Sequence, residues 1–99
     1  MSKNDISVLS EVYDVIMDRK SNPVVGSYVC SLFGHRKGMD KILEKVGEEA
    51  FETVIAVKNN DRDQIIYESS DLLFHLLVML AANDVTLDDI SQEMTKRRH

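Results

Sequence analysis

The chain has very little of two residues that shape many small folds, cysteine and proline. Because Cys30 is the only cysteine among 99 residues, an internal disulfide and a cysteine-based zinc site are both excluded. We therefore predict a reducing, cytoplasmic setting in which Cys30 is a small buried apolar residue. The only proline, Pro23, predicts that a first helix ends just before it, since a residue that precedes proline avoids helical backbone angles.

The chain also lacks a membrane-length hydrophobic run and an excess of positive charge. Its longest apolar stretch, residues 72–82, is interrupted only by His75 and is too short to span a bilayer. No apolar segment typical of a secretory leader follows the polar residues 1–5. With 12 basic and 17 acidic side chains the net charge is −5, which argues against a nucleic-acid surface. We expect neither a membrane nor a nucleic-acid partner.

Helical periodicity dominates what the chain does contain. Apolar residues recur at helical spacing, and no segment shows the alternation typical of a strand. Asp5, Asp61 and Thr86 are suitable N-cap residues. The predicted helices cover residues 6–20, 26–33, 40–58, 62–82 and 86–94. A chain of this length has room for one core, so we predict an all-α, four- to five-helix single domain that covers residues 1–99.

Parts of this domain are more apolar than one small chain can bury. Residues 72–82 should be buried nearly all round, and Phe51 and Ile55 form a second apolar arc on the preceding helix. A second copy of the chain would cover these surfaces, so we predict that the domain forms an intertwined helical-bundle homodimer. Gly47 costs its helix about 1 kcal/mol relative to alanine, which predicts close packing of another helix at this position.

Two of the predicted helices carry carboxylates on narrow polar strips between apolar residues. At about 100° per residue, Glu49 and Glu52 share one face of the third helix, and Glu68, Asp71 and His75 share one face of the fourth. Like charges at this spacing repel each other, and an unpaired carboxylate in apolar surroundings costs far more. The charges could be neutralised by lysines, by proton sharing or by a metal ion held between the two strips.

The residue types favour a metal ion and a polyphosphate. Two facing pairs of carboxylates offer only oxygen ligands, which suits Mg²⁺ or Mn²⁺ better than zinc. In proteins Mg²⁺ usually shares its coordination sphere with substrate phosphates, so the site predicts phosphoryl chemistry. The basic side chains that could face those phosphates lie on the third helix or in the loop before it: Lys41, Lys45, Arg36 and Lys37.

A simpler interpretation of each feature stays open. The glutamates of the third helix could pair with Lys41 and Lys45 on a solvated face, and short basic loops occur on many protein surfaces. For the carboxylates of the fourth helix this interpretation is weaker, because that helix is almost entirely apolar. We expect His75 to orient a carboxylate by hydrogen bonding and not to bind the metal, since hard cations prefer oxygen.

Two strings of sequence resemble a known enzyme family. Residues 41–52, KILEKVGEEAFE, and residues 67–78, YESSDLLFHLLV, are similar to segments of the phosphoribosyl-ATP pyrophosphohydrolases, and the likeness extends over residues 8–97. Glu49-x-x-Glu52 and Glu68-x-x-Asp71 also match the ExxE…ExxD signature of the all-α, MazG-type nucleotide pyrophosphohydrolases. The longer strings are more specific than this four-carboxylate pattern.

The resemblance implies an enzyme of histidine biosynthesis. Such an enzyme uses Mg²⁺ to hydrolyse the α–β phosphoanhydride of 1-(5-phosphoribosyl)-ATP, which gives phosphoribosyl-AMP and pyrophosphate, and it is an obligate helical dimer with its active site near the subunit interface. By position, the implied metal ligands are Glu49, Glu52, Glu68 and Asp71. Glu48 would be a further ligand or a water-orienting group, and Lys41 and Lys45 would face phosphates.

The sequence departs from the family pattern at two positions. Phe51 stands where a small or polar residue is expected, and Phe74 replaces a tyrosine, but both lie outside the carboxylate set. We expect a free-standing domain, because the cyclohydrolase fused to some relatives needs more length and zinc-binding cysteines. The alternatives are a MazG-type enzyme that hydrolyses ordinary or modified nucleoside triphosphates and a non-enzymatic helical dimerisation module.

Overall fold

The computed structural model describes residues 5–98, which form five α-helices and no strand. The helices are α1 (Ser7–Ser21), α2 (Tyr28–Phe33), α3 (Met39–Lys58), α4 (Arg62–Ala82) and α5 (Leu87–Arg97). This architecture confirms the predicted all-α class. Most helix ends lie within two residues of the predicted ones, whereas α5 continues beyond Met94 to Arg97.

The predicted N-caps of α4 and α5 are confirmed, whereas that of α1 is displaced by one residue. The carboxylate of Asp61 accepts a hydrogen bond of 3.2 Å from the first turn of α4. Thr86 and Asp89 accept from each other's backbone N–H groups, which completes a capping box at α5. At α1, Ile6 occupies the N-cap position, and the carboxylate of Asp5 accepts a hydrogen bond from the backbone N–H of Ser7. These bonds satisfy N–H groups that have no partner within their helix.

The centre of the fold is a helical hairpin formed by α3 and α4. Residues 59–61 join the two helices, and Asn60 allows the reversal by adopting a positive φ of 52°. α1 packs against α4, and α2 contacts both α1 and α3. The hydroxyl of Tyr13 donates a 2.6 Å hydrogen bond to the carbonyl of Val85, which ties α1 to the loop after α4. The buried core consists of Tyr13, Ile16, Val29, Leu32, Ile42, Leu77, Val78 and Ala81.

Within one chain the burial of α4 is incomplete. Val78 and Ala81 are fully buried, but Leu73 is exposed, so one chain alone does not bury residues 72–82 on every side, and the burial by a second copy stays a prediction. On α3 the second apolar arc is exposed at Phe51 and Ile55. These side chains form an apolar surface that the chain leaves uncovered.

Two predictions about single residues, the close packing at Gly47 and the burial of Cys30, are wrong within the chain. A Cβ atom built on Gly47 would meet no atom of the described residues within 4 Å, so no helix of the same chain packs closely against it. Cys30 is only partly buried. Its Sγ accepts a 3.3 Å hydrogen bond from the backbone N–H of Val24, at the surface. That bond, with a weaker contribution from Ser27, holds the pKa of the thiol below its ordinary value.

α4 is long and apolar enough to cross a membrane when only its length and composition are considered. The core helix of a globular protein meets the same criterion. In the fold, α1 and α3 pack against α4, and Glu68, Asp71 and His75 lie on its middle turns. Ionisable side chains inside a lipid bilayer are costly, so these contacts and charges favour a core helix.

Substitution of Val78, which is 0% exposed, should lower the free energy of unfolding. Val78→Ala removes two methyl groups from the centre of the core, and we expect a loss of about 2 kcal/mol from the lost burial and the remaining cavity. Val25→Ala is the matched control, because Val25 is fully exposed in the loop before α2. Urea unfolding at one fixed protein concentration measures both changes, and equal midpoints for the two variants would contradict this description of the core.

Candidate active site

The α3–α4 hairpin brings three carboxylates together. Each of Glu49, Glu68 and Asp71 offers one oxygen, and these oxygens all lie within 4.8 Å of one another. We call these three residues the acidic cluster. Glu49 is only 4% exposed, and the other two are partly buried. Three carboxylates at this separation repel one another strongly unless a proton or a cation lies among them.

The heptad spacing of α3 explains why Glu49 is buried. The three buried residues of α3 are Ile42, Glu49 and Ala56, which follow one another at intervals of seven and so face the same side of the helix. This side packs against α4. Glu49 is therefore the one charged residue in the stripe by which α3 contacts its partner helix, and the acidic residues of α4 lie opposite it.

Burial and like charge act together on Glu49. Desolvation is the largest cause that raises the pKa of this carboxyl group above its ordinary value of 4.5, followed by the neighbouring carboxyl group of Glu52 and the charge of Asp71. Lys45, at 3.5 Å from Oε1 of Glu49, opposes the shift. In the same cluster, Oε1 of Glu68 is buried and has no hydrogen-bond partner among the described residues. A buried oxygen without a donor, next to two other carboxylates, fits a hard divalent cation.

The structure places the other two predicted acidic residues at the edge of the cluster. Glu52 follows Glu49 by one turn of α3 and is exposed, and its carboxyl group contributes to the raised pKa of Glu49. Glu48 is exposed and pairs with Lys45 at 3.7 Å. Glu52 and Glu68 also line a pocket of about 210 Å³ between α3 and α4. The remaining residues that line it are Phe51, Ile55, Ala56, Asn59, Asp61 and Gln64.

Two of the predicted phosphate-binding lysines are held by a residue that the sequence analysis did not single out. Lys37 and Lys41 both reach Glu44, at 3.1 and 3.2 Å. Hydrogen bonds from Lys37 and then Lys41 hold the pKa of Glu44 below its ordinary value. Arg36 is exposed in the loop before α3. Of the four predicted basic residues, Lys45 alone pairs directly with a member of the acidic cluster.

His75 connects the acidic cluster to α2. Its Nδ1 lies 2.9 Å from the backbone carbonyl of Asp71 and 3.7 Å from Oε1 of Glu49. Its Nε2 lies 2.8 Å from the hydroxyl of Tyr28. His75 thus lies beside Glu49, but the expected hydrogen bond to a carboxylate is not formed, because Nδ1 bonds to the backbone of Asp71. The sequence analysis assigned Tyr28 no role, because no spacing rule relates a residue in α2 to one in α4.

Residues 9–98 match the family described as Phosphoribosyl-ATP pyrophosphohydrolase. The chain belongs to this family. It is 75% identical to a phosphoribosyl-ATP pyrophosphatase of Methanococcoides burtonii over the full length of both chains. It is 61% identical to a phosphoribosyl-ATP pyrophosphatase of Methanosarcina acetivorans, with 98% of this chain and 93% of the relative aligned.

Bifunctional proteins also contain a region similar to this chain. The histidine biosynthesis bifunctional protein HisIE of Caldanaerobacter subterraneus is 51% identical over 97% of this chain, which covers 46% of the relative. The family match confirms the resemblance found in residues 41–52 and 67–78, and with it the prediction of an enzyme that hydrolyses a pyrophosphate bond. The roles of individual side chains stay predictions.

Without divalent cations, Glu49→Gln should raise the melting temperature at about pH 7. Since the folded-state pKa of Glu49 lies above its ordinary value of 4.5, ionisation opposes folding. This cost is absent below the unfolded-state pKa and is complete above the raised folded-state pKa, whereas glutamine does not ionise. The stabilisation should therefore be larger at about pH 8 than at about pH 5.

Thermal unfolding in a chelating buffer measures this difference. Glu11→Gln, at an exposed position of α1, is the control and should show no comparable change with pH. Addition of Mg²⁺ should stabilise the unchanged protein more than the Glu49→Gln variant, because a ligand that binds only the folded state raises its stability. A Glu49→Gln variant that melts below the unchanged protein at neutral pH would contradict the account of a destabilising buried charge.

Proposed function

We propose that this chain hydrolyses 1-(5-phosphoribosyl)-ATP to phosphoribosyl-AMP and pyrophosphate, as a one-domain cytoplasmic enzyme of histidine biosynthesis. The observation that carries the proposal is the acidic cluster, in which a buried oxygen of Glu68 has no partner among the described residues. Family membership supports the choice of substrate, since the relatives named above are phosphoribosyl-ATP pyrophosphatases.

The cofactor in this proposal is Mg²⁺, which Mn²⁺ could replace. Its ligands would be Glu49, Glu52, Glu68 and Asp71, of which three already lie together and the fourth, Glu52, follows Glu49 by one turn of α3. Carboxylate oxygens are the ligands that these hard cations prefer. When bound, the metal neutralises phosphate charge and lowers the pKa of a coordinated water.

The side chains of the hairpin then have separable roles. Lys45 adds positive charge beside Glu49, where the phosphates of the substrate would approach. Glu48, exposed beside Lys45, orients the attacking water and can accept its proton. The reaction forms one bond between the water oxygen and phosphorus and breaks one bond to the oxygen that bridges the α and β phosphates, so that pyrophosphate leaves.

The basic residues before and within α3 bind the phosphates of the substrate in this proposal. Without substrate, Lys37 and Lys41 form ion pairs with Glu44, so a phosphate must compete with that carboxylate for the two lysines. These ion pairs are partly exposed, and exposed pairs are weak, typically below about 1 kcal/mol. A polyphosphate with several negative charges can displace Glu44 at little cost. Arg36 is exposed next to them and adds to the positive field.

We further propose that the functional form is a homodimer in which a second copy covers the apolar surface of the hairpin. Phe51, Ile55 and Leu73 are exposed on α3 and α4. Light scattering should give twice the chain mass of 11.3 kDa. Phe51→Glu should weaken the association, because a charge would be buried in an apolar contact. A monomeric unchanged protein at working concentrations would contradict the dimer.

Pyrophosphate release from phosphoribosyl-ATP tests the proposed activity. We expect turnover with Mg²⁺, none in a chelating buffer, and a loss of at least about 100-fold in Asp71→Asn and Glu68→Gln, because each change removes a metal ligand. Asp63→Asn, an exposed position in the first turn of α4, is the matched control and should retain activity.

Two outcomes of this assay would contradict the proposal. Preferential hydrolysis of common nucleoside triphosphates would indicate a MazG-type enzyme of broader range. Equal behaviour of Asp71→Asn and Asp63→Asn, without any effect of Mg²⁺ on turnover or melting temperature, would favour a structural module with incidental acidic residues.

A further inference from the structure

We infer that Tyr28 is a positioning residue for the metal-binding carboxylates and that it acts through His75. The inference deepens the proposed function and rests on it. Tyr28 lies on α2, outside the hairpin that carries the acidic cluster, and its hydroxyl bonds to the only polar residue of the apolar stretch at residues 72–82. Three elements thereby meet at His75: α2 through Tyr28, α3 through Glu49 and α4 through the ring's own helix.

The hydrogen bonds of His75 determine which ring nitrogen carries the proton. The carbonyl oxygen of Asp71 can only accept, so Nδ1 of His75 is the donor in their 2.9 Å contact. In the neutral ring Nε2 is then an acceptor, and the hydroxyl of Tyr28 donates to it across 2.8 Å. The carbonyl of Asp71 thus selects the tautomer with the proton on Nδ1, and the hydroxyl of Tyr28 completes the hydrogen bonding at Nε2 and holds the ring in this orientation.

This N–H is placed to act on the cluster. Nδ1 of His75 lies 3.7 Å from Oε1 of Glu49, beyond hydrogen-bond distance but close enough for the partial positive charge of its N–H to act on that carboxylate. The same N–H holds the backbone of Asp71, from which a second carboxylate of the cluster projects. His75 is only 3% exposed, so loss of the Tyr28 hydroxyl leaves Nε2 without a hydrogen-bond partner among the described residues.

Aromatic contacts restrain the ring of Tyr28 although 49% of the residue is exposed. The ring stacks on Phe74 with centroids 6.1 Å apart and meets the edge of His75 at 5.8 Å. Phe74 also contacts His75 edge-on at 5.2 Å but has no hydroxyl to offer. Among the described residues, Tyr28 is therefore the one that donates a hydrogen bond to Nε2, and the stacking of its ring on Phe74 holds the hydroxyl in place.

A purely structural role for Tyr28 leads to a different expectation. If its hydroxyl only filled a hydrogen bond in the core, its removal would lower stability and leave metal binding unchanged. Residues that hold metal ligands in place by hydrogen bonds, without binding the metal themselves, typically lower metal affinity or activity by about 10–100-fold when they are removed. Metal affinity, measured apart from turnover, therefore separates the two roles.

Tyr28→Phe removes the hydroxyl and retains the stacked ring. We expect this variant to bind Mn²⁺ about 10–100-fold more weakly than the unchanged protein in an electron paramagnetic resonance titration without substrate. Tyr13→Phe is the matched control, because it also removes one tyrosine hydroxyl and one hydrogen bond, to the carbonyl of Val85. It should lower the melting temperature and bind Mn²⁺ like the unchanged protein.

The ring of His75 provides a second readout in the metal-free protein. Nitrogen NMR should show the proton on Nδ1 in the unchanged protein and in both variants, whereas the Nε2 resonance should shift only in Tyr28→Phe, because that nitrogen loses its hydrogen-bond donor. Mn²⁺ affinity of Tyr28→Phe within about twofold of the unchanged protein would overturn the inference. A weaker affinity with an unchanged Nε2 resonance would overturn the route through His75.

These outcomes are distinct from a failure of the proposed function. If the unchanged protein binds Mn²⁺ and releases pyrophosphate while Tyr28→Phe matches it, only the role of Tyr28 is lost. If the unchanged protein binds no Mn²⁺, the proposed metal site fails, and the inference about Tyr28 fails with it.

Discussion

The contact between α3 and α4 is apolar at both ends of its heptad stripe, and a buried carboxylate, Glu49, interrupts it at the centre. An alanine or isoleucine there, as at Ala56 and Ile42, would pack without any electrostatic cost. The chain instead buries a glutamate opposite Glu68 and Asp71. Such an arrangement destabilises the isolated fold and, in the proposed function, would become favourable when a cation binds, which is the usual compromise between stability and activity at functional sites.

The remainder of the fold supports this compromise. The Val78 and Ala81 side chains anchor the C-terminal half of α4 in a core shared with α1. That apolar burial supplies the free energy that offsets the cost of the acidic cluster on the preceding turns. His75, between the two regions, satisfies both of its ring nitrogens by hydrogen bonds and so adds no unpaired polar group.

The helices could be predicted from the sequence because their signals are local. Asp61 and Thr86 cap their helices through residues three positions away, and Pro23 and Asn60 limit two others within a few residues. The carboxylates were found by the same local logic, since spacing of three or four predicts a shared helix face. The family resemblance then gave the chemistry, which the sequence pattern alone left open between a metal site and ion pairs with lysines.

Properties that depend on contacts between helices could not be predicted in this way. Spacing grouped Glu49 with Glu52, but burial separates them, because only one side of α3 faces α4. The heptad register of Ile42, Glu49 and Ala56 was present in the sequence and would have identified the buried member. No comparable signal announced that Glu44 holds two lysines or that Tyr28 reaches His75 across 47 residues. Likewise, Gly47 indicated close packing that the single chain does not contain.

The charges of the protein alone suggest how metal and substrate depend on each other in the proposed function. The acidic cluster repels the phosphates of a substrate, and Glu44 occupies Lys37 and Lys41, so the protein offers a polyphosphate little net attraction without a cation. A divalent ion in the cluster would offset two of its negative charges and so weaken that repulsion, and phosphates that displace Glu44 from the two lysines would add their own interactions. Each ligand improves the site for the other, and by linkage the effect is equal in both directions. In the free protein the acidic cluster is electrostatically unfavourable, and the two lysines are paired with Glu44. Metal and substrate together would neutralise the cluster and replace Glu44, so their complex would be the favoured ligand.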